Sequence, residues 1–239
     1  MSAERIDKIL SSQNIASRSE IKTMIKAGRI SADGIIVKRP EQKFDPENTV
    51  FSIDKKEITF KKHIYIMMNK PAGVLSASND KHAKTVIDLL PNEMKRRGLF
   101  PAGRLDKDTE GLLIITDDGE LAHKMLAPKS HVFKLYEAVT DKVLTNQDID
   151  AFKSGIKCGD IEFLPADMKI TGEKTALVEI CEGKFHQVKK MFNAVGANVL
   201  YLKRLRIGEV FLDENLKSGE VRELTENEIK YILSRKQGI

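Results

Sequence analysis

The 239-residue chain has no tryptophan, only two cysteines and 6% aromatic residues. No window approaches the roughly 18 uninterrupted apolar residues that a membrane span needs. Cys158 and Cys181 stand apart, without a CxxC and without a nearby histidine pair. That excludes a disulfide framework and a standard zinc site, and both read as small core residues. Walker and dinucleotide-binding glycine patterns are missing as well, which removes the common phosphoryl-transfer and hydride-transfer classes. The start of the chain, Met1 to Arg5, is charged within five residues. This is unlike a signal peptide, so the expected compartment is the cytoplasm. A large charge excess of one sign is also lacking, since 40 Lys+Arg against 35 Asp+Glu leave a net +5.

What is present is uneven. Residues 1 to 62 hold 13 Lys+Arg and 9 Asp+Glu, so four of the five excess charges fall in the first quarter. An excess concentrated in a small segment points to a polyanion partner more strongly than the global figure does. Ile6, Ile9 and Leu10 predict a short amphipathic helix over 5–13. Ser17 and Glu20 have capping-box spacing, Ile21, Met24 and Ile25 form an apolar stripe, and Gly28 stands at a C-cap position. At about 100° per residue, Arg18, Lys22, Lys26 and Arg29 share one arc beside that stripe. An Asp33-Gly34 turn and Ile35-Ile36-Val37 then predict short strands. A basic helix face is ordinarily just solvated. The order of helix, basic helix, turn and strands around Gly28-Arg29-Ile30, however, resembles the RNA-binding module of ribosomal small-subunit protein four. That resemblance covers about 50 residues and implies RNA contact by Arg18, Lys22, Lys26, Arg29 and Lys38, with positioning through phosphates.

Lys55, Lys56, Lys61 and Lys62 read as the end of this unit and a charged linker, giving an expected module over 1–60 and one larger domain over 63–239. Expected strands are 64–68, 112–116, 135–140, 176–181 and 199–202. Expected helices are 86–90, 120–126, 146–153, 185–195 and 226–233, the last behind a Thr225/Glu228 capping box. The irregular alternation predicts an α+β fold with a mixed, mostly antiparallel sheet.

Three constellations stand out in the larger domain. Asn69-Lys70-Pro71-Ala72-Gly73 is a strand running into a turn. Gly103 to Gly111 packs Arg104, Asp106, Lys107, Asp108, Thr109 and Glu110 between two glycines ahead of a buried strand, the setting of a structured loop. Its three carboxylates lack the alternation of a calcium loop, and a loop aspartate commonly caps a turn or pairs with a neighbour such as Arg104. Glu182 to Phe192 turns at Gly183 and enters a helix, leaving Lys184, His186, Gln187, Lys189 and Lys190 at the mouth of the sheet or in solvent.

Together these segments resemble the pseudouridine synthases that act on ribosomal RNA. Asn69-Lys70-Pro71 with Gly73, Gly103-Arg104-Leu105-Asp106 with Thr109 and Gly111, and His186-Gln187-Val188-Lys189 match three motifs in order. The preceding module and the tail Arg206-Ile207-Gly208 are similar to the RsuA group, which modifies small-subunit ribosomal RNA. The resemblance implies Asp106 as the essential aspartate, Tyr136 as the tyrosine that holds a flipped base, and Lys189 as the cation beside the aspartate, with Arg104 a second candidate. It further implies Arg104, Lys70, His186 and Gln187 in substrate binding, no cofactor and no metal, ribosomal RNA as partner, and a monomer. Many relatives carry arginine at the position of Lys189, a planar fork where this chain has a point charge. Two other readings stay open: a large-subunit synthase of the same fold, and a non-catalytic RNA-binding or ribosome-assembly factor. A glycoside hydrolase is disfavoured by the lack of tryptophan and by the basic N-terminal unit.

Overall fold

The computed structural model describes residues 3–235 and 237–239. The chain divides into two compact units, one of Met1–Ile64 with Pro91–Leu99, the other of Tyr65–Leu90 with Phe100–Ile239.

In the first unit, β1 (Glu4–Arg5) leads into α1 (Ile6–Ser12) and α2 (Arg18–Lys26). Ile6, Ile9, Leu10, Ile21 and Ile25 are buried together with Ile30 and Phe51, as the apolar spacing predicts. The capping box forms: Ser17 N donates to Glu20 Oε2 at 2.8 Å, and Glu20 N donates to Ser17 Oγ at 3.3 Å. At the other end Gly28 takes φ +68°, its N–H donates to Ile25 O and that of Arg29 to Met24 O. This paired closure of a helix end favours glycine. Strands β2 (Ile30–Ala32), β3 (Ile35–Ile36), β4 (Lys43–Phe44), β5 (Phe51–Ile53) and β6 (Lys56–Ile58) follow. A four-stranded antiparallel sheet runs β3-β2-β5-β6, and β1 pairs β4. Part of the expected charged linker is therefore strand: Lys56 and Ile58 pair with Ile53 and Phe51.

The second unit contains β7 (Tyr65–Lys70), β8 (Phe100–Pro101), β9 (Glu110–Thr116), α3 (Gly119–Leu126), β10 (Lys134–Thr140) and α4 (Asn146–Ser154). Next come β11 (Ile156–Cys158), β12 (Ile161–Phe163), β13 (Asp167–Gly172), β14 (Thr175–Ile180), α5 (Gln187–Ala194), β15 (Val199–Ile207), β16 (Val210–Phe211), β17 (Val221–Glu223) and α6 (Glu226–Tyr231). The main sheet runs β13-β14-β10-β15-β9-β7-β17, with β16 on β15 and β8 on β9. Only the β15–β9 pair is parallel, so the sheet is mixed and mostly antiparallel. Strands β7 and β9 are buried on both faces after their first residue. That explains why the sequence shows continuous apolar runs there and no alternation.

Two expectations fail. No helix forms over 86–90: Asp88 Oδ2 instead accepts from both the N–H and the hydroxyl of Thr85, closing a turn ahead of Pro91. And α5 starts at Gln187 with 185 and 186 outside it, because His186 adopts φ +54° in the left-handed region. Among the described residues, no helix is long and apolar enough to cross a membrane.

Candidate active site

Register across the main sheet collects the separated motifs. Lys70 pairs with Gly111, Gly111 with Arg204, and Arg204 with Tyr136, one row across four strands. Directly paired residues project to the same face, so the side chains of Lys70, Arg204 and Tyr136 share a side. The row also dictates the glycine: Gly111 has φ +98°, and a Cβ there would lie 2.2 Å from the Arg204 carbonyl oxygen. Any other residue would push β15 away from β9 at the point where the loop 103–110 enters the sheet.

That loop is fastened from below. The Lys70 side chain is fully buried, and its Nζ donates to the carbonyls of Thr109 at 2.9 Å, Pro71 at 3.0 Å, Asp106 at 3.1 Å and Lys107 at 3.3 Å. Gly73 N donates to Lys107 O at 2.7 Å, while Ser76 Oγ donates to Leu105 O at 2.9 Å and accepts from Leu105 N at 3.1 Å. Lys70, expected at the substrate, thus serves the loop itself. Burial pushes its ammonium down to about 8, opposed by the charges of Asp108, Glu110 and Asp106.

On the open side of this fastened loop, the Asp106 side chain is 25% exposed. Lys189 Nζ lies 3.3 Å from Asp106 Oδ2, and His186 Nε2 lies 3.4 Å from Oδ1. His186 is the N-cap of α5 and Lys189 lies in its first turn, about one turn further on. Lys189 makes its shorter contact with Asp108, donating to Oδ1 at 2.6 Å. This ammonium holds the Asp108 carboxyl below the usual carboxylate range. Lysine therefore bridges two carboxylates with one point charge, a geometry open to three rotatable donors. Arg104 is exposed, and the side chains beside the Asp106 carboxylate are Lys189 and His186.

Gln187 turns inward. It is 4% exposed, its Nε2 donates to Glu182 Oε1 at 2.8 Å, and its Oε1 accepts from Lys184 N at 3.0 Å. Glu182 Oε1 also accepts from Leu164 N at 3.0 Å. The substrate role expected of Gln187 gives way to a structural one, fixing the turn that presents His186 and Lys189.

Tyr136 is 8% exposed, and its hydroxyl lies 3.5 Å from Arg204 Nη1. Arg204 lies outside the three motif segments. It is 5% exposed, its Nε donates to Leu112 O at 2.8 Å, and its Nη2 is buried with no partner among the described residues. Together with Arg206, Lys70 and Lys134, the last of which burial also lowers to about 8, it makes four buried basic side chains among the described residues of this unit. The signal was there: Leu202, Arg204 and Arg206 alternate in β15, so the period that buries leucine buries both arginines. Arg206 is neutralised by Glu179 on β14.

The remaining expected contacts lie on the first unit. Arg18, Lys22, Lys26, Arg29 and Lys38 are all exposed, the first three on α2. Arg29 is engaged by Asp54, with Nε at 2.9 Å and Nη2 at 2.5 Å from its two carboxylate oxygens. Among the described residues, no group of three or more His, Cys, Asp or Glu could hold a metal ion.

Residues 64–194 match the model of the RNA pseudouridylate synthase family, and residues 4–50 match that of the S4 domain. The chain is 44% identical over 230 residues to a Bacillus subtilis protein described as an uncharacterized RNA pseudouridine synthase, YtzG, covering 94% of this chain and 96% of that one. It is 39% identical over 230 residues to the ribosomal small subunit pseudouridine synthase A of Vibrio cholerae, covering 95% and 99%. A crystal structure of a pseudouridylate synthase superposes with a TM-score of 0.67 at 32% identity, covering 96% of this chain and 99% of that chain. A loop aspartate flanked by a lysine and a histidine, following an S4 domain in the chain and inside a matching family model, thus makes this chain a member of the RNA pseudouridylate synthases with an S4 domain ahead of the catalytic one.

Proposed function

We propose that the chain isomerises one uridine of small-subunit ribosomal RNA to pseudouridine, with Asp106 as the reacting carboxylate. The observation that carries this reading is the position of that carboxylate, on the open side of a fastened loop with Lys189 and His186 within ion-pair distance. In the reaction the bond from C1′ to N1 breaks, the uracil turns, C5 bonds to C1′, and a proton leaves C5 while N1 gains one. A carboxylate facing C1′ can attack it or balance its cationic character as N1 departs. Lys189 supplies the counter-charge that keeps this anion from facing an anionic RNA alone.

A stacked uridine cannot bring C1′ and N1 to a loop carboxylate, so the nucleotide must swing out of its stack. Tyr136 is the ring that would receive the uracil, with Arg204 bracing its hydroxyl. Exposed Arg18, Lys22, Lys26, Arg29 and Lys38 would hold the surrounding RNA by its phosphates. The small subunit is favoured by relatives named for that substrate over nearly their full length.

The test is a map of pseudouridines in ribosomal RNA from cells lacking the chain, complemented by the wild type or by Asp106→Asn. One small-subunit site should vanish on deletion, return with the wild type and stay absent with Asp106→Asn, whose folding and RNA affinity should be unchanged. A vanished large-subunit site would reassign the substrate, and no vanished site would overturn the reading.

A further inference from the structure

Beside Asp106 the second unit holds an aromatic face that the isomerisation does not use. Phe185 is 68% exposed. Its ring lies flat on that of His186, centroids 3.7 Å apart and planes at 22°, and Lys190 Nζ sits 5.1 Å from its centroid. His186 in turn reaches Asp106 at 3.4 Å. The turn beneath is rigid, tied by Gln187 to Glu182 and by Lys184 Nζ to Glu162 O at 2.6 Å and Glu182 Oε2 at 2.9 Å. The helix that follows buries Val188, Met191 and Phe192, so an inward course for a phenyl ring was available a few residues away. The left-handed backbone at His186 instead holds this ring open to solvent, stacked directly on the residue that touches the Asp106 carboxylate.

We propose that Phe185 is a stacking platform for a nucleobase adjoining the target uridine, with Lys190 meeting a phosphate of the same strand. The inference rests on the RNA-modifying reading above. A phenyl face offers stacking to any base, and a neighbouring ammonium supplies the phosphate contact, the pairing by which single-stranded RNA is held without sequence readout. The occupant is a base and not an apolar protein surface because the exposed feature is a single ring, stacked on His186 and bordered by the Lys190 ammonium. When a uridine leaves its stack, the base next to it loses a partner, and Phe185 replaces that partner where the loss occurs.

The test separates stacking from chemistry. In an Asp106→Asn background, a short single-stranded RNA with one uridine flanked by 2-aminopurine is titrated and its fluorescence followed. Phe185 should quench the probe. Phe185→Leu should abolish the quench and weaken affinity roughly tenfold, and Phe185→Trp should preserve both. With Asp106 intact, Phe185→Leu should raise KM and leave kcat within about twofold, the pattern of lost uniform binding. Thermal midpoints should match, as the ring is exposed. Equal quench and equal affinity in the leucine variant overturn the platform even if pseudouridine forms. Absence of pseudouridine in the wild type overturns the activity reading whatever the probe reports.

Discussion

The Lys70 ammonium ends among four carbonyl oxygens, three of them from the loop that carries Asp106. Those oxygens favour the charged amine, whereas burial lowers its pKa to about 8, so the cage and the burial pull in opposite directions. Lys70→Met removes every donor and leaves the carbonyls of Asp106, Lys107 and Thr109 facing a methyl group. The expected cost is about 3 kcal/mol, the order set by buried acceptors left without partners, with isomerase activity falling alongside stability. Denaturant unfolding and tritium release from labelled uridine check both, and a variant as stable as the wild type would remove Lys70 from this role. Asp106→Asn should separate the two readouts, losing activity alone. The proximity of Asp106 and Lys189 agrees with their places in two contiguous motifs. The direction of a long side chain was not legible: Lys70 and Gln187 could be placed at the site by motif, yet both turn inward to hold backbone.

Among the elements, apolar runs revealed β7, β9, β10 and β14 to within about two residues, the scatter inherent in helix and strand ends. Strand β15 was read as ending at Leu202 and continues to Ile207, because its alternating cations look like surface residues until Glu179 and Leu112 O are seen to receive them. The strand β13 at the end of the main sheet and the β11–β12 hairpin leave little apolar pattern in the sequence, being short or half exposed. The tail was legible through its capping box, and an acid-sensitive latch follows from it. Thr225 N donates to Glu228 Oε2 at 2.7 Å, and Arg222 grips Glu228 by two bonds at 2.9 and 2.7 Å while holding Asp213 at 2.6 Å. Arg222 is the main reason the Glu228 carboxyl falls to about 2. A carboxylate depressed on folding stabilises fully above its unfolded pKa and loses that contribution as pH falls, here from about 4.5 towards about 2. Glu228→Gln should lower stability by about 1–2 kcal/mol at neutral pH. The gap to the wild type should close through that acid window in thermal melts at stepped pH. A constant gap would place the effect elsewhere.

For the whole molecule, the distribution of charge divides the labour, with four of five excess cations in the first 62 residues and a nearly neutral remainder. A catalytic unit that must keep one carboxylate next to RNA gains little from a strongly basic surface, since each added cation would compete with Lys189 for Asp106 or Asp108. Under the proposed reading the grip falls to α2 and its surroundings, where the side chains are exposed and free of core duties. Arg29 already shares its guanidinium with Asp54, so Lys22 and Lys26 should contribute more per residue to phosphate binding. Reversing all three to glutamate should leave the fold intact, weaken RNA affinity, and lower the slope of log affinity against log salt by about two, less than the nearly three expected of three unencumbered phosphate contacts. At saturating RNA the turnover number should persist, because no reacting group has changed. Filter binding across a salt series checks the slope and single-turnover kinetics the persistence; an unchanged slope would move the RNA grip away from this face.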